Sequence, residues 1–378
     1  MQFFIAGAVF FFAHESLPRR VAKPGCIPHH RHAWRFCHPV EYGASIDDLA
    51  KRVLACQVMK RLLVLTSTFP SWEGDSTPPF VFELSRRLAR HAQVHVLAPH
   101  SKGAARAEDW DGVHIHRFSY WRNREGNLAD GAILPGLRRH PTRWLQVPPF
   151  VVAQTLAARR LVRFMAADRI HAHWILSQGL VACALGKPFL LTSHGADLFG
   201  LRRLDPLKRA IVNRAQRLTV VSKAMREEAL SLGARVPVDV LPMGVDFQAF
   251  HPQRRDEVWR ASVGAKGPLI LFVGRLSEKK GVTHLLRAMP EVLRRIPEAM
   301  LLIVGDGELR SELERQTDDL GLRGHVTFVG GVSNTDLPRM YASADLFVGP
   351  SIVARGGDTE GFGLVLVEAI ASGCLTLA

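Results

Sequence analysis

From Met59 onward, short apolar runs alternate with longer stretches in which apolar positions recur every three or four residues. Apolar runs bounded by turn formers predict strands, and the longer recurrence predicts helices laid against them. Strands are read at 61–66, 93–98, 112–118, 169–173, 188–193, 217–222 and 238–241, with helices at 79–91, 150–167, 204–215 and 223–232. Around Pro242-Met243-Gly244-Val245-Asp246 the alternation breaks, and Phe250 to Lys266 is polar with mixed charges, which marks a domain boundary. A second series follows, with strands near 268–273, 299–304, 325–329, 345–348 and 374–378 and helices near 281–296, 307–320, 335–342 and 363–372. Regular succession of strand and helix builds parallel sheets, so the expected fold class is α/β with two Rossmann-like domains, 59–243 and 244–378, facing a cleft. No internal repeat of solenoid length is visible.

Residues 1–58 break this pattern. The apolar opening MQFFIAGAVFFFA lacks the basic flank of a secretory signal and is too short to span a bilayer before Glu15 and Arg19. A Pro, His and Arg-rich stretch without period follows, so Met59 is read as the start of the fold, with a short membrane-surface anchor as the competing reading.

Length changes the picture little: 378 residues and 47% hydrophobic content suit two soluble domains. Charge changes it more. With 49 Lys and Arg against 35 Asp and Glu, the net charge of +14 favours an anionic partner. Phosphate and anionic lipid both qualify, whereas nucleic acid is disfavoured, because no binding motif is present and the basic residues are spread along the chain. Five cysteines, Cys26, Cys37, Cys56, Cys183 and Cys374, are widely spaced and odd in number, which fits a reducing cytosol. Cys26 and Cys37 with His29, His30, His32 and His38 match no zinc spacing, and are read as part of an unstructured stretch.

Ligands of open parallel sheets bind beyond the carboxyl ends of strands, so the loops there are searched for chemistry. Val273-Gly274-Arg275-Leu276-Ser277-Glu278-Lys279-Lys280-Gly281 offers a tight turn at Gly274 and two cations, Arg275 and Lys280, suited to a diphosphate; a solvated basic loop is the plainer reading. In Glu360-Gly361-Phe362-Gly363-Leu364-Val365-Leu366-Val367-Glu368, glycines at a helix start open bare N–H groups to phosphate, and Glu368 on an apolar helix needs a polar partner such as a ribose diol. A capping Glu and a glycine-rich turn is the alternative. Thr192-Ser193-His194-Gly195-Ala196-Asp197 places His194 and Asp197 where they can meet sugar hydroxyls or simply shape a turn. Val304-Gly305-Asp306-Gly307-Glu308 brings backbone close to the same edge.

These loops, in this order and each after a strand, resemble the retaining GT-B glycosyltransferases of family 4, most specifically in the two glutamates eight apart around Gly-Phe-Gly. Val221-Ser222-Lys223, Pro242-Met243-Gly244-Val245-Asp246 and Ala344-Asp345-Leu346-Phe347-Val348-Gly349-Pro350-Ser351 agree with it. The resemblance covers roughly Met59 to the last residue. It implies a hexosyltransferase that moves a sugar from a nucleotide-sugar donor, such as a UDP- or GDP-sugar, to a glycan or lipid-linked acceptor with retention of configuration. It implies no cofactor and no required metal. Arg275 and Lys280 match the pair that neutralises the donor diphosphate, and Glu368 the residue that holds the ribose. Glu360 matches the glutamate beside the donor sugar, with Phe362, Gly363 and Leu364 lending N–H groups, and His194 matches the histidine that faces that sugar. Phe69-Pro70-Ser71-Trp72-Glu73-Gly74-Asp75 stands where the family often has paired glycines, of which only Gly74 is present. The one D-x-D, Asp109-Trp110-Asp111, is read as a surface loop before a strand, and nothing marks the lysine of a pyridoxal-phosphate phosphorylase.

Arg138-Arg139-His140 through Phe150-Val151-Val152, then Arg159-Arg160 and Arg163, interleave cations with Trp144, Phe150 and Phe164. Such a helix suits an anionic membrane surface, here the inner face of the cytoplasmic membrane, or else it is an ordinary domain helix with exposed arginines. The TSTFP start with Trp72-Glu73-Gly74-Asp75, and His171-Ala172-His173-Trp174, are most similar to bacterial exopolysaccharide and lipopolysaccharide members. The family continues beyond the strand at Leu375-Thr376-Leu377-Ala378, so the second domain is expected to be incomplete, and the alternative function is a catalytically inactive nucleotide-binding fragment.

Overall fold

A computed structural model describes residues 60–75, 77–121, 128, 129, 133, 136, 137, 140–355 and 359–378. The expectations for residues 1–58, including Cys26, Cys37, Cys56, His29, His30, His32 and His38, lie outside the described residues, as do Arg138 and Arg139.

The first sheet holds β1 (Lys60–Leu65), β2 (Ala92–Pro99), β3 (Ala107–Trp110), β4 (Val113–Phe118), β5 (Arg169–His173), β6 (Phe189–Ser193), β7 (Arg217–Val220) and β8 (Val238–Val240). Its order is β3-β4-β2-β1-β5-β6-β7-β8, parallel throughout except that β3 runs antiparallel to β4. Around it lie α1 (Phe80–Leu88), α2 (Val147–Phe164), α3 (Leu180–Leu185), α4 (Ala196–Phe199), α5 (Asp205–Val212) and α6 (Lys223–Ser231). Strands β1, β5 and β6 are almost wholly buried because both faces are covered, as parallel sheets require.

The second sheet holds β9 (Leu269–Val273), β10 (Met300–Val304), β11 (Val326–Gly330), β12 (Leu346–Val348) and β13 (Leu375–Leu377), all parallel in the order β11-β10-β9-β12-β13. Its helices are α7 (Glu257–Ser262), α8 (Val282–Arg295), α9 (Arg310–Asp319), α10 (Leu337–Ser343) and α11 (Leu364–Ala371). Alternation splits each strand between two cores. Leu269, Leu271 and Val273 join Tyr341, Phe347 and Ala369 on one face, while Ile270 and Phe272 join Leu285, Leu286 and Met289 on the other. Each such fully buried Leu or Ile contributes about 1.5–3 kcal/mol.

Both sheets reverse direction of strand addition at one point, between β1 and β5 in the first and between β9 and β12 in the second. Crevices open beyond the strand ends at such points.

Three local readings need correction. Asp109-Trp110-Asp111 is no loop: it ends β3 and begins the turn to β4, with Asp111 at φ 47. Both aspartates are exposed, and Asp109 accepts from His114 Nδ1 at 2.5 Å. The strand was invisible because its sequence, AEDW, lacks an apolar face. Phe250 to Lys266 is not a plain linker either, since it contains α7, capped by the Asp256 carboxylate on Trp259 N–H at 2.9 Å, and buries Trp259 in the second core. A π-helix, Trp174–Gly179, runs into α3 where no helix was expected. Among the described residues no helix is long and apolar enough to cross a membrane.

Candidate active site

The loops after β9, β10 and β12 interlock at backbone level. A Cβ on Gly305, which follows β10, would lie 2.0 Å from the carbonyl oxygen of Gly274, which follows β9. One on Gly281, at φ +65, would lie 1.8 Å from the Pro350 carbonyl oxygen, beyond β12. Only hydrogen fits at these contacts, so the spacing of the three loops is set by glycine.

That lattice fixes the cations. Arg275 Nε donates to Glu308 Oε2 at 3.2 Å, and Lys280 Nζ donates to Glu360 Oε2. The Lys280 side chain is mostly buried, at 16% exposure. Burial pushes the Glu360 carboxyl upward, but the Lys280 ammonium, with Lys279 and the Gly361 N–H, outweighs that and holds it below the ordinary carboxylate value. Each of the two cations is thus paired with a carboxylate in this structure.

The Glu360 turn enters α11, whose N-cap is Gly363 at φ 76, with Leu364 as the first helical residue. The positive end of this helix therefore lies at the turn that holds Glu360. Phe362 packs against the core of the first sheet, and Leu366 Cδ2 would lie 3.1 Å from a Cβ on Gly349. One turn further along, Glu368 accepts from Tyr341 Oη at 3.0 Å. Burial pushes the Glu368 carboxyl up to about 7 against the pull of that hydrogen bond, and burial beside Glu368 raises the Tyr341 phenol well above its usual value. The partner of Glu368 in this state is thus a phenol, which sequence reading missed because Tyr341 lies 27 residues away on α10.

From the first sheet, His194 follows β6 and meets this assembly directly. A Cβ on Gly361 would lie 2.7 Å from the His194 carbonyl oxygen, and one on Gly195 would lie 3.2 Å from Gly361 Cα. His194 Nε2 and His173 Nδ1 are 2.9 Å apart, and His171 Nε2 bonds Thr192 Oγ1 at 2.7 Å. Burial lowers the pKa of His194 to about 3 and of His171 to about 4, and pushes that of His173 well down, so all three rings are neutral at pH 7. His194 Nδ1 is buried with no hydrogen-bond partner. Asp197, by contrast, turns inward: its carboxylate accepts from Ile175 N–H and Ser193 Oγ, each at 2.8 Å. It shapes the turn and does not face the crevice.

The loop 69–75 is tied from both sides. Arg117 Nη2 donates to the Pro70 carbonyl at 2.9 Å, and the Asn334 amide of the second half donates to the Asp75 and Thr77 carbonyls at 2.9 and 3.0 Å. Gly74 stands at φ +83, with Ser333 Oγ 3.7 Å from the place of its missing Cβ. Sequence reading quoted His173 and Glu308 inside motifs without assigning them, and it gave no sign of Phe80, whose ring lies 4.9 Å from that of His194. Sequence spacing carries no trace of partners that only the fold brings near.

Two family models match the chain: Glycosyltransferase Family 4 over residues 79–249 and Glycosyl transferases group 1 over residues 254–378. The chain is 30% identical over 334 residues to a GDP-mannose-dependent alpha-(1-6)-phosphatidylinositol monomannoside mannosyltransferase from Mycolicibacterium smegmatis, covering 84% of this chain and 80% of that one. Among solved structures, a sucrose-phosphate synthase from Thermosynechococcus elongatus superposes with a TM-score of 0.64 at 21% identity, over 84% of this chain and 80% of that one. The Anabaena protein HepE, in complex with UDP and glucose, superposes with a TM-score of 0.60 at 19% identity, over 84% and 80%. The fold is GT-B, and the chain belongs to glycosyltransferase family 4.

Proposed function

We propose that this glycosyltransferase moves mannose from GDP-mannose, with retention of configuration and without a metal ion, to a hydroxyl of a lipid-linked acceptor. The donor and acceptor classes follow the mycobacterial relative named above. One observation supports the reading most: the Gly361 turn, next in sequence to the Lys280–Glu360 ion pair, lies against the backbone of His194 and Gly195, which brings the groups assigned here to the diphosphate and to the sugar close together.

As the glycosidic bond breaks, negative charge grows on the diphosphate and the sugar becomes oxocarbenium-like. Arg275, Lys280 and the N-terminus of α11 supply fixed positive potential there, the work that a divalent cation does elsewhere. Phosphate displaces the carboxylates of Glu308 and Glu360 from the two cations. Glu360, released from Lys280, is then free to accept from the donor sugar. Ribose hydroxyls replace the Tyr341 phenol at Glu368. Neutral His194 accepts or donates a hydrogen bond to the sugar without adding positive charge beside an incipient cation.

Lys280→Ala and Arg275→Ala are each expected to lower turnover by about 10²- to 10³-fold, the usual loss on removing one group that stabilises developing charge. GDP release from GDP-mannose in the presence of EDTA measures this, with UDP-glucose as the second donor arm. Near-normal rates in both variants would sink the diphosphate assignment, and loss of activity in EDTA would sink metal independence. Anomeric proton couplings of the product decide retention.

The acceptor places the enzyme at a membrane. On and before α2, Trp144, Leu145, Val152, Leu156 and Phe164 are exposed beside exposed Arg159, Arg160 and Arg163, a combination suited to the cytosolic face of an anionic bilayer. Flotation with vesicles containing phosphatidylglycerol is expected to capture the protein, and Arg159→Glu with Arg160→Glu to release it. Equal flotation on neutral vesicles would refute the electrostatic part.

A further inference from the structure

Trp174 follows β5 directly and takes φ 74, a left-handed conformation that bulky side chains rarely adopt. Its position explains how the strain is held. The next residue, Ile175, donates its N–H to the buried Asp197 carboxylate, which also accepts from Ser193 Oγ, and a π-helix begins at Trp174 itself. π-Turns and left-handed non-glycine residues persist where surrounding structure enforces them, and they cluster at functional sites.

The conformation turns the indole toward two other rings. Trp174 lies 4.8 Å from His194 and 6.1 Å from Phe80, and Phe80 lies 4.9 Å from His194, with interplanar angles of 48°, 61° and 52°. None of the three residues is fully buried. Phe80 opens the helix after β1, while Trp174 follows β5, so the corner stands at the direction reversal of the first sheet. It adjoins the Gly361 turn of the donor side through His194. A corner of tilted aromatic faces with one unpartnered ring nitrogen, His194 Nδ1, matches a pyranose, which offers a face of C–H groups and a rim of hydroxyls.

We propose that Phe80 and Trp174 form an aromatic platform that seats a pyranose ring of the acceptor beside His194. This rests on the glycosyltransfer reading above and narrows its acceptor to one that presents a sugar ring, not a bare lipid phosphate. Asp197 is its positioning residue, acting through Ile175.

The test uses the full-length protein with methyl α-D-mannopyranoside as the sugar probe, followed by saturation-transfer NMR, and GDP binding followed separately by calorimetry. Wild-type protein is expected to saturate the ring protons of the glycoside. Trp174→Gly, which suits the left-handed backbone and so keeps the fold, is expected to weaken sugar binding by about tenfold, the worth of a lost aromatic face. Trp174→Phe is expected to retain most of it, and Phe80→Ala to weaken it without touching the strained turn. Sugar binding unchanged in Trp174→Gly and Phe80→Ala, or absent from a wild-type protein that binds GDP, overturns the platform alone. Sugar binding that depends on Trp174 in a protein with no affinity for GDP or UDP would keep the platform and overturn the donor assignment.

Discussion

Burial holds the Glu368 carboxyl near a pKa of about 7, whereas an exposed glutamate titrates at 4.5. Between those values the folded protein keeps a proton that the unfolded chain has released, so this group's effect on stability is most favourable at low pH. It becomes unfavourable as pH rises toward 7 and changes no further above it. Between pH 5 and pH 7.5 the buried neutral histidines make stability rise with pH while Glu368 opposes them, so Glu368→Gln is expected to steepen the rise of the urea midpoint relative to wild type. If Glu368 takes up the ribose diol as an ionised carboxylate, GDP binding near pH 6.5 releases a proton. Calorimetry in two buffers of different ionisation enthalpy reads that proton directly, and a buffer-independent enthalpy would remove the role. The neutral histidines predict a complementary absence: lowering pH from 7 to 5.5 leaves His194 uncharged, because its pKa is lowered to about 3.

At the scale of elements, the crevice depends on loops that approach more closely than any side chain permits. Gly281→Ala adds a methyl against the Pro350 carbonyl at a left-handed position. The backbone strain alone costs about 1–3 kcal/mol, and relieving the clash moves the loop after β12 away from the cations. Gly264→Ala is the matched comparison, since it shares a positive φ of +82 but has nothing within 4 Å. Both variants are expected to unfold earlier in urea, while only Gly281→Ala loses GDP affinity. Equal effects on binding would show that the loop contact is incidental.

At the scale of the whole molecule, one ion-pair cluster ties the polar segment after β8 to the first half. Asp246 accepts from Arg86 Nη2 at 3.1 Å and Arg87 Nη2 at 3.2 Å, both on α1. Burial pushes its carboxyl upward, but the N–H of Gln248 and the two guanidiniums outweigh that and hold it below the usual value. Its contribution is therefore present near neutrality and lost as the medium becomes acid enough to protonate it. Asp246→Ala is expected to lower stability by about 1–3 kcal/mol, intermediate between exposed and buried pairs. Hydrogen exchange is expected to rise first in α1 and in residues 244–250; exchange confined to the second sheet would contradict this tie.

Hydrophobic periodicity by itself determined most of the strands and helices, because parallel strands covered on both faces must be apolar and their helices must be amphipathic. It also determined the candidate loops, since ligand-binding turns follow strands and announce themselves through Gly, Arg, Lys and Glu. It failed at β3, an edge strand whose one large apolar side chain, Trp110, is half-buried, and at α7, whose single buried anchor is Trp259. Tertiary structure alone decided the pairings: Lys280 with Glu360, Glu368 with Tyr341, His194 with His173, Gly361 against His194 and Trp174 beside Phe80. Partners on separate elements leave no periodic mark on either segment, because what joins them is sheet order and backbone approach, which exist only once the chain has folded.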